Sequence, residues 1–230
     1  MEAADVRGLL GVLLPEGSLV HYPTPAGGYV QLTITAGYKA SAFLEEKVQE
    51  INHFLSTEAQ IVPYETRPRK NGKTTSVLRF RISTNRLRPI YNLLYPQGKR
   101  RITQTALDML GGHAAGWSWA TGAHNAADGS AILAKVGNSE EEAELVSRWL
   151  ELLTGASSVL DDEMIRPRLY FNPREASKIR AALKSYAPFC RSHLFQDEVL
   201  DVSTLRSART ELLHGEGEDV PEGSEQAALA

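Results

Sequence analysis

The sequence predicts an α+β fold made of two copies of one αββαββα unit. The first observation is the order of the patterns, because helical and strand-like segments follow one another in that order and then repeat it. The second is the spacing of glycines, since Gly17 and Gly116 lie 99 residues apart and Gly37 and Gly137 lie 100 apart. Self-similarity at a fixed offset indicates an internal duplication.

The first copy begins with the apolar helical run VRGLLGVLL, residues 6–14, and continues with a hairpin in which SLVHY and YVQLTITAG flank the turn-rich PTPAGG. Residues 41–56 have apolar and charged positions at a helical period, which predicts an amphipathic helix. A second hairpin is predicted over 59–83 with its turn at Asn71-Gly72. The short helix NRLRPIYNLLYP closes the copy before Pro96.

The second copy repeats this order with its own residues. The segment ITQTALDMLGGHAAG predicts a helix over about 106–115, and WSWATG with SAILAKVG predicts a hairpin. A helix follows from a capping box at Ser139 and Glu142, then a hairpin over 157–172 and a closing helix over 174–188. We expect a first repeat at 1–96, a linker at 97–105, a second repeat at 106–203 and an acidic, disordered tail at 204–230.

Composition limits the class of protein. Of the 230 residues 42% are hydrophobic and 23% are charged, which is ordinary for a globular protein. The single cysteine, Cys190, excludes an intrachain disulfide and fits a reducing compartment. The N-terminus lacks the basic flank and apolar stretch of a signal peptide, and no segment has the roughly 18 apolar residues of a membrane span. We therefore expect an intracellular protein, in the cytoplasm, the nucleoid or an organelle matrix, with no membrane partner.

The net charge of −3 hides a strong asymmetry along the chain. Between Tyr64 and Arg101 there are eleven Lys or Arg residues and one acid, whereas from Arg206 to the end there are two Arg and six acids. The basic block is interleaved with aromatic and β-branched residues. It therefore predicts a surface that binds a polyanion, which a local basic block can do whatever the total charge.

The first helix ends in a nonapeptide, LLGVLLPEG at residues 9–17, that resembles the LAGLIDADG motif. The αββαββα order after it and the duplication resemble single-chain LAGLIDADG homing endonucleases over about residues 5–195. The resemblance implies two pseudo-symmetric repeats that form a LAGLIDADG-type β-saddle, with the two motif helices packed at its centre. It also implies small residues where these helices touch, such as Gly8 and Gly11 in the first half and Gly111, Gly112, Ala114 and Ala115 in the second.

In this family each motif ends with an acid beside the scissile phosphates, and the paired acids share divalent metal ions. The resemblance assigns this role to Glu16, as a catalytic residue and a ligand of Mg²⁺, a cation that prefers carboxylate oxygens. If Gly116 ends the second motif, Ala115 occupies the second acid position and the site lacks one acid. Asp128 reads as a turn residue, and His113 falls two residues too early to be a ligand.

Arg and Lys on strands and loops are the best candidates for contacts to nucleic acid, because they bind phosphates and guanine edges. The first half supplies most of them, and the acidic LDDEM in the second half predicts lopsided contact. The candidates are Gln31, Thr33, Thr35, Arg67, Arg69, Lys70, Lys73, Arg79, Arg81, Lys99, Arg100, Arg101, Lys135, Arg166 and Arg168.

Three functions fit these observations. The first is a monomeric, sequence-specific duplex DNA-binding protein of homing-endonuclease type, with metal-dependent cleavage weak or lost because one acid is missing. The second is an intron maturase, which binds RNA on the same fold and does not need the acids. The third is a transcription regulator, although residues 190–230 show no helix-turn-helix pattern.

Overall fold

The structure, a computed structural model, describes residues 2–25, 28–66, 74–161 and 166–196. All of these lie within one compact unit, Met1–Asp197, and a second unit, Glu198–Ala230, lies outside the described residues together with the predicted tail. Each half of the first unit forms its own four-stranded sheet.

The first half has the predicted αββαββα order. Its elements are α1 (Ala3–Leu13), β1 (Ser18–Tyr22), β2 (Tyr29–Ala36), α2 (Ser41–Leu55), β3 (Ile61–Glu65), β4 (Ser76–Thr84) and α3 (Arg88–Leu94). The strands form an antiparallel sheet in the order β1-β2-β4-β3. One face of this sheet is apolar and buried, since Val30, Leu32 and Ile34 of β2 alternate with outward-facing polar residues.

The second half repeats the order after a short additional helix, α4 (Gln104–Asp108). Its elements are α5 (Gly112–Gly122), β5 (Ala123–Asn125), β6 (Ala131–Leu133), α6 (Glu140–Thr154), β7 (Val159–Asp161), β8 (Arg168–Phe171) and α7 (Pro173–Leu183). The strand order β5-β6-β8-β7 is that of the first sheet. The predicted duplication is therefore present in the topology of the described chain.

The predicted helix over 106–115 is wrong at both ends, because α4 ends at Asp108 and the second motif helix, α5, begins only at Gly112. The helix runs through Gly122 instead of ending near residue 115, so WSWATG is helical and the hairpin begins only at Ala123. Trp and Thr at every second position of WSWATG favour a strand, but Trp117 and Trp119 are almost fully buried in the core. Trp117 also donates to His113 one helical turn earlier, over 3.2 Å. Burial of the two indoles outweighs local strand preference.

The two motif helices, α1 and α5, pack against each other at the centre of the unit. A Cβ added to Gly11 would lie 2.8 Å from the Cβ of Ala114, which is too close for two carbons, so only glycine permits this approach. The other predicted contacts have different partners. Gly8 faces the ring of Phe54, and Gly112 faces the ring of Tyr186. Gly111 has nothing within 4 Å of an added Cβ.

Candidate nucleic-acid interface

Glu16 lies where the first motif helix joins the first sheet. Helix α1 ends at Leu13, Gly17 adopts a left-handed backbone conformation with φ of 107°, and β1 begins at the next residue. The Arg100 guanidinium donates to the carbonyls of Leu13 and Leu14 over 2.7 and 2.9 Å and also to that of Gly17. The carbonyls of Leu13 and Leu14 are unpaired acceptors of the helix C-terminus, and Gly17 lies just after Glu16, so Arg100 caps α1 and fixes the position of Glu16.

Two lysines hold the Glu16 carboxylate, one from each half. The Lys47 Nζ donates to Oε1, and the Lys135 Nζ donates to Oε2 over 2.8 Å. Lys47 also donates to the Thr121 hydroxyl over 3.2 Å, so it contacts both motif ends. The Lys47 side chain has no exposed area, and its ammonium lies 4.7 Å from the centre of the Phe43 ring. This fully buried lysine was missed in the sequence, although it lies on the apolar face of α2 between Leu44 and Val48.

The charges of this cluster change the pKa of its members. Burial by itself would raise the pKa of Glu16, but the Lys47 and Lys135 ammonium groups outweigh burial and hold that pKa below its usual 4.5. Desolvation lowers the pKa of Lys47 from 10.5 to about 8, against the opposing charge of Glu16. The carboxylate therefore stays ionised at neutral pH, and Lys47 remains largely protonated.

The second acid position is occupied by Thr121, not Ala115. Thr121 is followed by Gly122 and the first residue of β5, as Glu16 is followed by Gly17 and the first residue of β1. Ala115 is fully buried in the first turn of α5, far from the end of the helix. The sequence contains a pattern that indicates this register. In AAGWSWATG two glycines lie six residues apart, as they do in LLGVLLPEG.

The outward face of the first sheet brings several candidates together. Thr33 lies opposite Arg81, and Thr35 lies opposite Arg79, because β2 and β4 are antiparallel neighbours. The Arg81 guanidinium donates to the Gln31 side-chain carbonyl over 2.5 Å, and Gln31 donates to the Ser83 hydroxyl over 2.9 Å. The Arg79 guanidinium lies 3.4 Å from the centre of the Tyr64 ring. These contacts hold two cationic groups on one exposed strand face.

The remaining basic candidates differ in exposure and in their ion-pair partners. Lys99 and Arg166 are exposed. Arg101 pairs with Glu142 over 3.3 Å, and Arg168 pairs with Asp161 over 3.1 Å. Arg100 is committed to the carbonyls at the end of α1, so the predicted nucleic-acid contact at this residue is replaced by a structural role. Four candidates lie outside the described residues: Arg67, Arg69, Lys70 and Lys73.

A protein-family model described as the LAGLIDADG DNA endonuclease family matches residues 7–179. The chain belongs to this family. That match covers most of α1, all of α5 and both sheets, and it includes Glu16 and Thr121. The resemblance stated from the nonapeptide and the duplication is thereby confirmed.

Solved LAGLIDADG structures share the fold at low sequence identity. The homing endonuclease I-WcaI bound to its DNA recognition sequence superposes with a TM-score of 0.66 at 12% identity, over 86% of this chain and 88% of that chain. A variant of I-DmoI with its target DNA and Mg²⁺ gives a TM-score of 0.52 at 15% identity, over 79% and 98% of the two chains. I-DmoI with DNA and Mn gives 0.51 at 15% identity, over 79% and 96%. No curated protein sequence matches.

The residues around Glu16 do not fit the shared metal ions that the LAGLIDADG resemblance implies. Within the described ranges, no group of three or more His, Cys, Asp or Glu side chains could hold a metal ion. Thr121 offers a neutral hydroxyl in place of the second carboxylate, and an ammonium group contacts each Glu16 oxygen. Mg²⁺ needs several oxygen ligands, and two neighbouring ammonium groups repel it.

Asp128 and His113, which the sequence does not assign to the metal site, both have structural contacts within their own segments. Asp128 accepts hydrogen bonds from the Ser130 N–H over 2.9 Å and from its hydroxyl over 2.6 Å, which confirms it as a turn residue. His113 accepts the Trp117 indole N–H within α5. None of the helices in the described part of the chain has the length and apolar composition of a membrane span.

Proposed function

We propose that this chain is a sequence-specific duplex DNA-binding protein of homing-endonuclease type in which metal-dependent phosphodiester cleavage is weak or lost. Membership of the LAGLIDADG DNA endonuclease family supports the class of partner. One observation carries the loss of cleavage: the two motif ends hold one carboxylate, Glu16, which is paired with Lys47 and Lys135, and one threonine, Thr121.

The first sheet supplies the groups for recognition. Its outward face carries Gln31, Thr33, Thr35, Arg79 and Arg81 on two neighbouring strands. The major groove of B-DNA, about 12 Å wide, admits a pair of strands, and Arg can donate two hydrogen bonds to one guanine. Gln31 already orients Arg81, which reduces the side-chain entropy lost when a base is bound. Both halves lie in one chain, so the proposal includes binding as a monomer.

Binding is tested by selection from a pool of randomised duplexes, followed by affinity measurements across salt concentrations. We expect a defined site and a logarithm of affinity that falls linearly with the logarithm of salt concentration. Arg174→Ala serves as a control, because this arginine is exposed on α7 and not on a strand. Tighter binding of structured intron RNA than of duplex DNA at the same salt would favour the maturase hypothesis instead.

Cleavage is tested separately on a supercoiled plasmid that carries the selected site. With Mg²⁺ or Mn²⁺ we expect no linear product and at most slow nicking, because loss of a metal-binding acid costs on the order of 10³-fold or more in rate. EDTA gives the background. Rapid linearisation in Mg²⁺ would contradict the loss of cleavage while leaving the proposed DNA binding intact.

A further inference from the structure

We propose that the position of Glu16 binds an anion, a phosphate group of the bound duplex, through Lys135 and without a metal ion. The inference rests on the proposed function for the source of the phosphate. Its basis is the sign of the local charge. Two ammonium groups surround one carboxylate, so the cluster of Lys47, Glu16 and Lys135 carries a net charge of +1 when all three are ionised.

The two lysines have different roles in this arrangement. Lys47 has no exposed area, so it neutralises Glu16 from inside the protein and does not contact the phosphate. The Lys135 side chain is 45% exposed, and its ammonium faces solvent beside Glu16. Because Lys47 already compensates the carboxylate, the charge of Lys135 remains available to a phosphate.

A cleft of about 950 Å³ lies next to Lys135 and can receive a phosphate with its sugar. Its lining includes Arg166 and Arg168, so three basic residues of the second half border the same space as Glu16. The Nε atom of Arg168 is buried without a hydrogen-bond partner, while Nη2 is paired with Asp161. Arg100 and Glu142 also line the cleft, so basic side chains outnumber acidic ones there by four to two, where a metal site would be acidic.

The backbone of Lys135 is a second, independent observation. Its φ is 62°, a left-handed conformation that glycine adopts freely and lysine does not. The neighbours hold it there, since the Ala134 N–H donates to the Gly122 carbonyl over 2.9 Å and Val136 is buried. A lysine in this conformation costs stability, which the fold accepts at the position that places an ammonium beside Glu16.

Loss of the Glu16 charge should have the opposite effect on duplex binding from loss of a metal ligand. Glu16→Gln removes the negative charge beside the phosphate and releases Lys135 from an ion pair. We expect duplex affinity to rise about 3- to 10-fold, equally in EDTA and in Mg²⁺. A metal ligand would behave differently, because its loss would weaken binding and only when Mg²⁺ is present.

Lys135→Gly is the complementary variant. Glycine accepts the left-handed backbone, so we expect an unchanged melting temperature, a loss in duplex affinity of about 5- to 20-fold and a salt slope smaller by about 0.9. Ser56→Gly is the matched control, because Ser56 also has a positive φ, 50°, at the end of α2. It should change neither affinity nor slope.

A third measurement needs no DNA. Pyrophosphate should raise the melting temperature of the parent protein and less so that of Lys135→Gly, because a ligand that binds only the native state stabilises it. Pyrophosphate stabilisation without duplex binding would overturn the proposed function and support the anion site. The inference is wrong if Glu16→Gln weakens binding in Mg²⁺ alone, if Lys135→Gly binds duplex like the parent, or if neither duplex nor pyrophosphate binds.

Discussion

The strands of the first sheet have 5, 8, 5 and 9 residues in chain order, whereas those of the second have 3, 3, 3 and 4. The first sheet therefore presents several cross-strand rows outward, including Thr33 beside Arg81 and Thr35 beside Arg79. Among the residues that the structure describes, the second presents one complete outward row across its four strands, formed by His124, Ile132, Tyr170 and Val159.

The buried faces of the two sheets are much more alike than the outward faces. Leu133 and Leu169 pair in the second sheet as Leu32 and Ile82 do in the first, and all but the last of these side chains are almost fully buried. A core residue must keep its volume and polarity, because a cavity or a buried polar group destabilises the fold. An outward residue has no such constraint. The duplicated fold thus keeps its core in both halves, whereas the strands of the second sheet are shorter than those of the first.

The largest expected effect tests the register of the second motif. Ala115→Asp places a carboxylate in a fully buried helix turn, so we expect a loss of about 3 kcal/mol or more in the free energy of unfolding. Thr121→Asp places the same group at a partly exposed helix end beside Lys47 and should change that free energy by less than about 1 kcal/mol. Urea unfolding of both variants measures the difference. Equal losses would contradict the pairing of Thr121 with Glu16 in the comparison of the two halves.

The next prediction tests whether the two sheets differ in function as they do in shape. Replacing Arg79 and Arg81 together by alanine should weaken duplex binding by about 10²-fold, near 2.7 kcal/mol, because both lie on the long outward face. Replacing Arg166 and Arg168 together should cost less than about 10-fold, since Arg168 already pairs with Asp161. Fluorescence anisotropy at one salt concentration compares the pairs. Similar losses would show that the second half contributes as much as the first.

Much of the fold could be predicted because hydrophobic period and turn residues are local signals. The hairpin of β1 and β2, helix α2 and the Ser139 cap, which accepts the Glu142 N–H over 3.3 Å, all have such signals. The register of the second motif could not be obtained this way. In the sequence Gly116 resembles the end of a motif, and the spacing of Trp117 and Trp119 favours a strand. Tertiary packing instead buries both indoles within a helix.

The candidate site was predictable in part for the same reason. Glu16 follows from the nonapeptide, and the outward faces of β2 and β4 follow from alternation along each strand. The ion pairs that decide the chemistry of Glu16 join residues 31 and 119 positions apart in the sequence. No local pattern reports such contacts, so the role of Lys135 beside Glu16 and the capping role of Arg100 became visible only in three dimensions.

The smallest expected effect concerns equivalent positions in two helices of equal length. Lys47 is the seventh residue of α2, and the seventh residue of α6 is Val146, so a buried charge in the first half corresponds to an apolar side chain in the second. In the unfolded chain the pKa of Lys47 is near 10.5, and in the native protein it is about 8. Between these values the unfolded state binds more protons, so the contribution of Lys47 to the free energy of unfolding rises with pH across this window.

Lys47→Met should remove this rise, which amounts to at most about 1.4 kcal/mol per pH unit. Methionine fills a similar volume but leaves Glu16 with Lys135 as its ion-pair partner. At neutral pH we therefore expect a loss of about 1 to 2 kcal/mol, because removing one partner of a buried ion pair leaves the other charge less compensated. The Cys190 thiol changes the free energy of unfolding in the opposite direction. Burial and the nearby Glu46 raise its pKa from 9.0 to about 12, so its contribution to that free energy falls as pH rises above 9. That contribution is common to both proteins and cancels in their difference. Urea unfolding of parent and variant between pH 7 and pH 10 gives the difference directly. Parallel profiles would mean that Lys47 is no more costly to keep charged than an exposed lysine, and the contrast between Lys47 and Val146 would then have no energetic consequence.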